Sequence, residues 1–181
     1  MTLTVKKGLE QNDVQAVCES LWEHGKREVQ RFGFVDPDQA TRAFLGAKPE
    51  YGFGFFKDGA CVAVFGAIRM DGGSYRSYFL ATEAFVSAAK EGTRLLRNLL
   101  KEETAKRPGA RLECLSASDH PDSERWFKLL GFYSAEPLNG IRRYIYGLTP
   151  STKAAIFPAG GGAPMTPCLD GGDASASGRP A

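Results

Sequence analysis

The sequence predicts an α+β domain, a mixed central β-sheet with helices on both faces, followed by an irregular Gly/Pro-rich C-terminal tail. Three observations carry that expectation. Short alternating segments over 51–57, 61–69 and 75–81 read as a three-strand meander. A helix, a strand and another helix follow, which is the order of a β-α-β unit added to the same sheet. Near Thr149-Pro150 the composition then turns to Gly, Pro, Ala and Ser. Such a mixture buries too little apolar area to offset its ordering entropy. The chain is accordingly divided into a domain over 1–149 and a low-complexity extended tail over 150–181.

The elements are justified in order. Leu3–Lys6 alternates and is expected to be the first strand. Asn12 or Asp13 stands where a helix cap belongs, ahead of Val14, Val17, Leu21 and Trp22 at helical spacing. A second helical piece carries Val29 and Phe32, and Asp36-Pro37 opens another through Ala40, Phe44 and Leu45. Lys57-Asp58-Gly59 is a hairpin turn between Tyr51–Lys57 and Cys61–Arg69, and Asp71-Gly72-Gly73 turns the chain into Tyr75–Ala81. A helix over Ser87–Lys106 follows, with Ala88, Gly92, Leu95, Leu96, Leu99 and Leu100 along one side and Pro108-Gly109 at its end. Arg111–Ser116 is a strand, with Leu112, Cys114 and Ser116 on one face. A helix with Pro121 in its first turn comes next, and Ile141–Leu148 closes the domain. The order reads β-α-α-β-β-β-α-β-α-β, without an internal repeat.

Composition excludes several classes of function. The 181 residues suffice for one hydrophobic core. Lys plus Arg number 23 against 21 Asp plus Glu, a net charge of +2 that gives no strong sign of a nucleic-acid or membrane protein. No apolar run approaches the roughly 20 residues of a membrane helix, and MTLTVKKGLE lacks the apolar core of a secretory signal. Cys18, Cys61, Cys114 and Cys168 form no Cys-x-x-Cys pair, and the first three, each inside an apolar segment, read as small buried hydrophobes of a reducing compartment. His24 and His120 are too few for a histidine metal site, and no metal is expected. Arg94, Arg97 and Lys101 share one side of the long helix. A basic anion-binding stripe is one reading; a solvated face is the better one, since Glu91, Glu102 and Glu103 dilute the charge.

The stretch ERWFKLLGFY, residues 124–133, is a short amphipathic helix that stops at Gly131. Glycine suits the left-handed position that ends a helix, and Phe132 can fold back as the accompanying apolar contact. Set in this element order, the segment resembles the GNAT superfamily of acyl-CoA-dependent N-acyltransferases. There a helix ending in Leu-Gly-Phe follows the fifth strand, as Glu124–Phe132 follows Arg111–Ser116 here. The strand at Leu3–Lys6 and Asp13 at the head of the first helix resemble the family's opening. In layout the resemblance covers residues 2–148; in sequence it is specific only near 119–133.

The resemblance implies parts that can be looked for. Active members bind the acyl-CoA pyrophosphate at a Gln/Arg-x-x-Gly-x-Gly/Ala loop after the fourth strand, where small residues and a helix N-terminus present backbone N–H groups. The matching place is TEAFVSAAKEG, residues 82–92, where Phe85 and Val86 are bulky and Gly92 lies inside the helix. The family's usual general acid is a tyrosine four residues before the glycine of Leu-Gly-Phe. Here that position is Phe127. Ser118, Asp119 and His120 stand where an asparagine often begins the helix. His120 reads as part of the helix cap rather than as a general base, and Asp119 and Glu83 have no evident partner in the sequence.

Fold signature without functional signatures resembles, more narrowly, the degenerate GNAT-like internal-virion family of short-tailed bacteriophages. Tyr78-Phe79-Leu80-Ala81-Thr82 and Arg125-Trp126-Phe127-Lys128-Leu129-Leu130-Gly131-Phe132 carry that match. It implies a non-catalytic virion or virion-assembly protein, with no catalytic residue and no cofactor. The location would be the virion, or the host cytoplasm during assembly. Partners would be portal, neck or internal core proteins and further copies of this chain, with nucleic acid not favoured. Phe157, Met165 and Leu169 would be apolar anchors of the tail on a partner; a solvated tail without a partner is the plainer reading of its composition. The alternative is an acetyl-CoA-dependent N-acetyltransferase. A third reading, a DNA-associated protein, would need Arg69, Arg76, Arg94, Arg97, Arg142 and Arg143 to converge on one face.

Overall fold

The hairpin expected at Asp58-Gly59 forms because both residues take positive φ, 53° and 84°, the twist a two-residue turn needs between right-twisted strands. It joins β2 (Tyr51–Lys57) to β3 (Ala60–Arg69). The structure, a computed structural model, describes residues 2–146; the boundary at 149/150 and Phe157, Met165 and Leu169 lie outside the described residues. The expected α+β class is the one observed. Seven strands form a single mixed sheet in the order β1-β2-β3-β4-β5-β7-β6. β1 is Thr4–Lys7, β4 Tyr75–Ala81, β5 Leu112–Ser116, β6 Phe132–Leu138 and β7 Ile141–Tyr146. Only β4 and β5 run parallel; the other neighbours are antiparallel.

Several helix limits correct the sequence reading. α1 spans Gln11–Glu19 with Glu10 at its N-cap and no side-chain cap, so Asn12 and Asp13 lie inside its first turn. It stops before Leu21 and Trp22 because those residues leave the helix to reach the sheet: Leu21 bridges Thr82, and the Trp22 N–H donates to the Ala81 carbonyl at 3.1 Å. α2 is Glu23–Arg31. α3, Pro37–Gly46, starts as expected, with the Asp36 carboxylate accepting from the Gln39 N–H at 2.6 Å. The expected helix over Ser87–Lys106 is α5 (Ala89–Ala105), and a short helix that was not expected, α4 (Glu83–Val86), precedes it. α6 is Ser123–Leu130, so Pro121 precedes it. It ends at Gly131 with φ 100°, the left-handed cap expected from Leu-Gly-Phe.

β6 was not expected as a strand; it pairs with β7 through a turn at Asn139-Gly140, with φ of 51° and 78°. The core lies on both faces of the sheet. Leu96 and Leu100 of α5 and Phe127 and Leu130 of α6 pack with Phe55, Phe65 and Tyr144 on one side. Val14 and Val17 of α1 and Phe44 of α3 cover Val64 on the other. Burying each such side chain contributes about 1.5–3 kcal/mol relative to exposure. No helix among the described residues is long and apolar enough to cross a membrane.

Candidate functional site: the splay between β4 and β5

Parallel pairing of β4 with β5 covers three positions, Tyr75 with Leu112, Arg76 with Glu113 and Ser77 with Cys114. Beyond Ser77 the two strands part, leaving the Tyr78–Ala81 edge without a strand partner on that side. This is the cleft between the fourth and fifth strands that the family resemblance assigns to the reagent. The chain's own residues occupy it. At its end the Ala81 carbonyl already accepts the Trp22 N–H. Along it, Trp126 of α6 lies with its ring 5.3 Å from Phe79 of β4 and donates from Nε1 to Thr93 Oγ1 of α5 at 3.0 Å. The indole therefore ties α6, α5 and β4 together, satisfying its one polar atom in a mostly apolar place.

Phe85 fills the base of α5. It is 3% exposed, with its ring 5.6 Å from Phe55 and 5.2 Å from Phe79. A Cβ on Gly92 would stand 2.4 Å from Phe85 Cζ. Gly92 is thus small to seat a phenyl ring, not to admit a phosphate. Phe127, at the family's general-acid position, stacks on Tyr144 with ring centroids 4.0 Å apart and planes 12° from parallel. It carries no hydroxyl, and Tyr133 sits beyond the helix on β6. Burial pushes the Cys114 thiol, at the root of the splay, up to about 12, so it is no thiolate nucleophile at neutral pH. Outside the plug, an open depression of about 310 Å³ is lined by Ser87, Ala88, Lys90, Glu91 and Arg94 at the uncapped start of α5.

A second cluster gathers where β5 ends. His24 Nδ1 lies 2.5 Å from Asp119 Oδ1, and Arg27 Nε donates to Asp119 Oδ2 at 2.9 Å. Arg31 reaches the same carboxylate at 3.3 Å and the Ala117 carbonyl at 2.6 Å. The hydrogen bonds from His24 and Arg27 hold the Asp119 carboxyl well below the usual carboxylate range. The His120 ring meets His24 edge-on at 4.7 Å, and its Nδ1 accepts the Asp122 N–H at 3.1 Å in the turn before α6, whose first turn has no side-chain cap. Glu28 of α2 accepts from Ser116 Oγ at 2.7 Å and the Ala117 N–H at 2.9 Å, while burial pushes its carboxyl up. Arg142 donates to the Ser118 carbonyl, and a shallow cleft of about 450 Å³ lies between Arg31, Ser116–Ser118 and Gly140–Arg142.

The sequence reading named Asp119 and His120 but not their partners. His24 and Asp119 are 95 positions apart, and no local pattern joins them. Glu83 is exposed on α4 and takes no part in the cluster. Arg76 and Arg143 both pair with Glu113, and Arg142 is held by Ser118, so the six arginines do not form one free basic face. Among the described residues no group of three or more His, Cys, Asp or Glu is placed to hold a metal.

Solved structures that superpose on this chain include acetyltransferases. An acetyltransferase of the GNAT family from Bacillus anthracis superposes with a TM-score of 0.57 at 15% identity, over 84% of this chain and 97% of that one. A GNAT-superfamily phosphinothricin acetyltransferase from Sinorhizobium meliloti, in complex with AcCoA, gives 0.56 at 15% identity over 86% and 95%. An aminoglycoside acetyltransferase in complex with coenzyme A gives 0.57 at 13% identity over 80% and 93%. The fold is therefore that of the GNAT superfamily. No protein-family model matches the sequence, nor does any curated protein.

Proposed function

We propose that this chain keeps the GNAT fold without its acyl-transfer chemistry and works as a binding and assembly component. The carrying observation is the occupied splay: Trp126 is bonded across it to Thr93, and Phe85 is packed under Gly92. Phe85 is a core residue and Trp126, partly buried, packs against that core, so both would have to yield to a nucleotide's diphosphate and its arm. Isothermal titration of acetyl-CoA and CoA into the full chain tests this. We expect no heat of binding at ligand concentrations up to about 1 mM, the weak end of specific binding; micromolar affinity would overturn the proposal.

The particular role we propose is in a bacteriophage virion or its assembly, with the tail docking through Phe157, Met165 and Leu169 on a portal, neck or core protein. Support comes from the sequence resemblance over 78–82 and 125–132. Replacing all three anchors by serine is expected to abolish incorporation into particles, read by blotting purified virions, and to leave the domain's melting temperature unchanged. Undiminished incorporation would discard the tether.

A second reading, an acetyl-CoA-dependent N-acetyltransferase, has its own observation. The open depression at the start of α5 offers Lys90, Arg94 and a free helix N-terminus to an anion, and the fold neighbours are acetyltransferases, two of them in complexes with AcCoA or CoA. The same titration decides between the two.

A further inference from the structure

On sequence alone a solvated face is the expectation for Arg94, Arg97 and Lys101, since Glu91, Glu102 and Glu103 dilute their charge. The structure takes Glu103 out of that count and leaves Glu91 and Glu102 beside the row. Glu103 is on the buried face of α5, 4% exposed, and its two oxygens are taken by Lys106 at 2.5 Å and Arg107 at 2.7 Å. Lys90, Arg94, Arg97 and Lys101 are all exposed. At 3.6 residues per turn they fall within an arc of about 60° and span about 16 Å of helix. Glu91 and Glu102 sit about 100° away, on one flank. None of the four cations is in an ion pair among the described residues. By contrast Lys106, Arg107, Lys128, Arg76 and Arg143 all are.

We infer that the outer face of α5 is a docking surface for the phosphate backbone of nucleic acid. The partner's chemistry follows from the face. It is a straight row of like charges without an apolar anchor, whereas a protein partner is recognised through a desolvated, apolar or aromatic centre. Duplex DNA presents about one negative charge per 1.7 Å of axis, so the row runs past roughly ten phosphates and needs no sequence match. The net charge of +2 is no obstacle, because counterion release depends on the local row, not on the whole-chain sum. Both arginines and both lysines are free to move, which suits contacts that position without reading bases. The row shares Lys90 and Arg94 with the depression at the start of α5, but it does not depend on whether the splay is filled.

The test is fluorescence anisotropy of a labelled 30-base-pair duplex of mixed sequence with the full chain, from about 20 to 200 mM salt. Four phosphate contacts give a log–log slope of about −3.6. Arg94→Gln with Arg97→Gln is expected to bring the slope to about −1.8 and weaken low-salt binding at least tenfold. Lys7→Gln with Lys26→Gln, the same loss of charge at exposed positions off α5, is expected to leave the slope unchanged. Glutamine is a good helix former, so α5 survives the change, and circular dichroism confirms it. Absence of salt-dependent binding, a slope equally altered by the control pair, or equal displacement by poly-glutamate (the mark of an acidic protein partner) would each overturn the inference.

Discussion

Glu113→Gln lowers the stability of the domain by about 3–5 kcal/mol, seen as a fall in the urea midpoint at unchanged slope. The reason is what that carboxylate holds. Oε1 accepts from Arg76 Nε at 3.0 Å and Nη2 at 2.6 Å, and Oε2 accepts from Arg143 Nε at 2.9 Å. The side chains of Glu113, Arg76 and Arg143 are 10%, 16% and 26% exposed. Glutamine keeps one acceptor oxygen and turns an NH2 group toward the second guanidinium. Two cations then face each other with little water between them. The lesion falls at the middle of the three paired positions of β4 and β5, one pair before the splay.

The same residue sets a pH dependence. Burial pushes the Glu113 carboxyl up, but Arg76 and Arg143 outweigh burial and hold it below the ordinary glutamate range. Glu103 is lowered in the same sense by Lys106 and Arg107. A carboxyl whose folded value is depressed stabilises the fold above its unfolded value, about 4.3, and that stabilisation is lost as pH falls through the folded value. The wild-type chain therefore loses stability below about pH 4, and Glu113→Gln flattens that limb. A midpoint within about 1 kcal/mol of wild type, against the 3–5 expected for a broken buried pair, or an acid limb of unchanged steepness, would show the cluster to be hydrated.

Much of this was legible from residue types alone, and the exceptions have physical reasons. Asp36-Pro37, Asp58-Gly59 and Gly131 announced their turns and caps because each meets a local backbone demand. β6 was missed although Asn139-Gly140 is the strongest short hairpin signal there is. Glu136-Pro137 interrupts the alternation along 132–138, and proline is tolerated there because β6 is the sheet's edge. The four-residue helix α4 is too short to carry a period, and Phe85 on it is placed by packing against Phe55 and Phe79, a tertiary demand no local window carries. In the site, the missing tyrosine and glycines were visible as absences. What replaced them was not: the Trp126–Thr93 bond and the His24–Asp119 pair join residues 33 and 95 positions apart. Glu103 was counted among the diluting charges although helical spacing places it beside Lys106 and Arg107 and on the side of Leu96, Leu99 and Leu100.

Phe127 separates the two readings of the splay by their opposite demands on one side chain. If the residue is a structural replacement for a general acid, its truncation is felt in stability and its hydroxylation is not felt in chemistry. Phe127→Ala is expected to cost about 3–5 kcal/mol, the usual range for a buried phenylalanine. It removes a ring that stacks on Tyr144 at 4.0 Å and meets Trp126 at 5.3 Å and Phe132 at 5.6 Å. At about 2–4 °C per kcal/mol for a chain of this size, the melting temperature falls by roughly 6–20 °C. Phe127→Tyr restores the hydroxyl the family places four residues before Gly131. Because Phe85 and Trp126 still occupy the splay, we expect no acetyl transfer from acetyl-CoA to any of a panel of amines, in the variant or in the wild type. Turnover gained on adding that one oxygen would mean the plug moves aside, and the acetyltransferase reading would then take precedence.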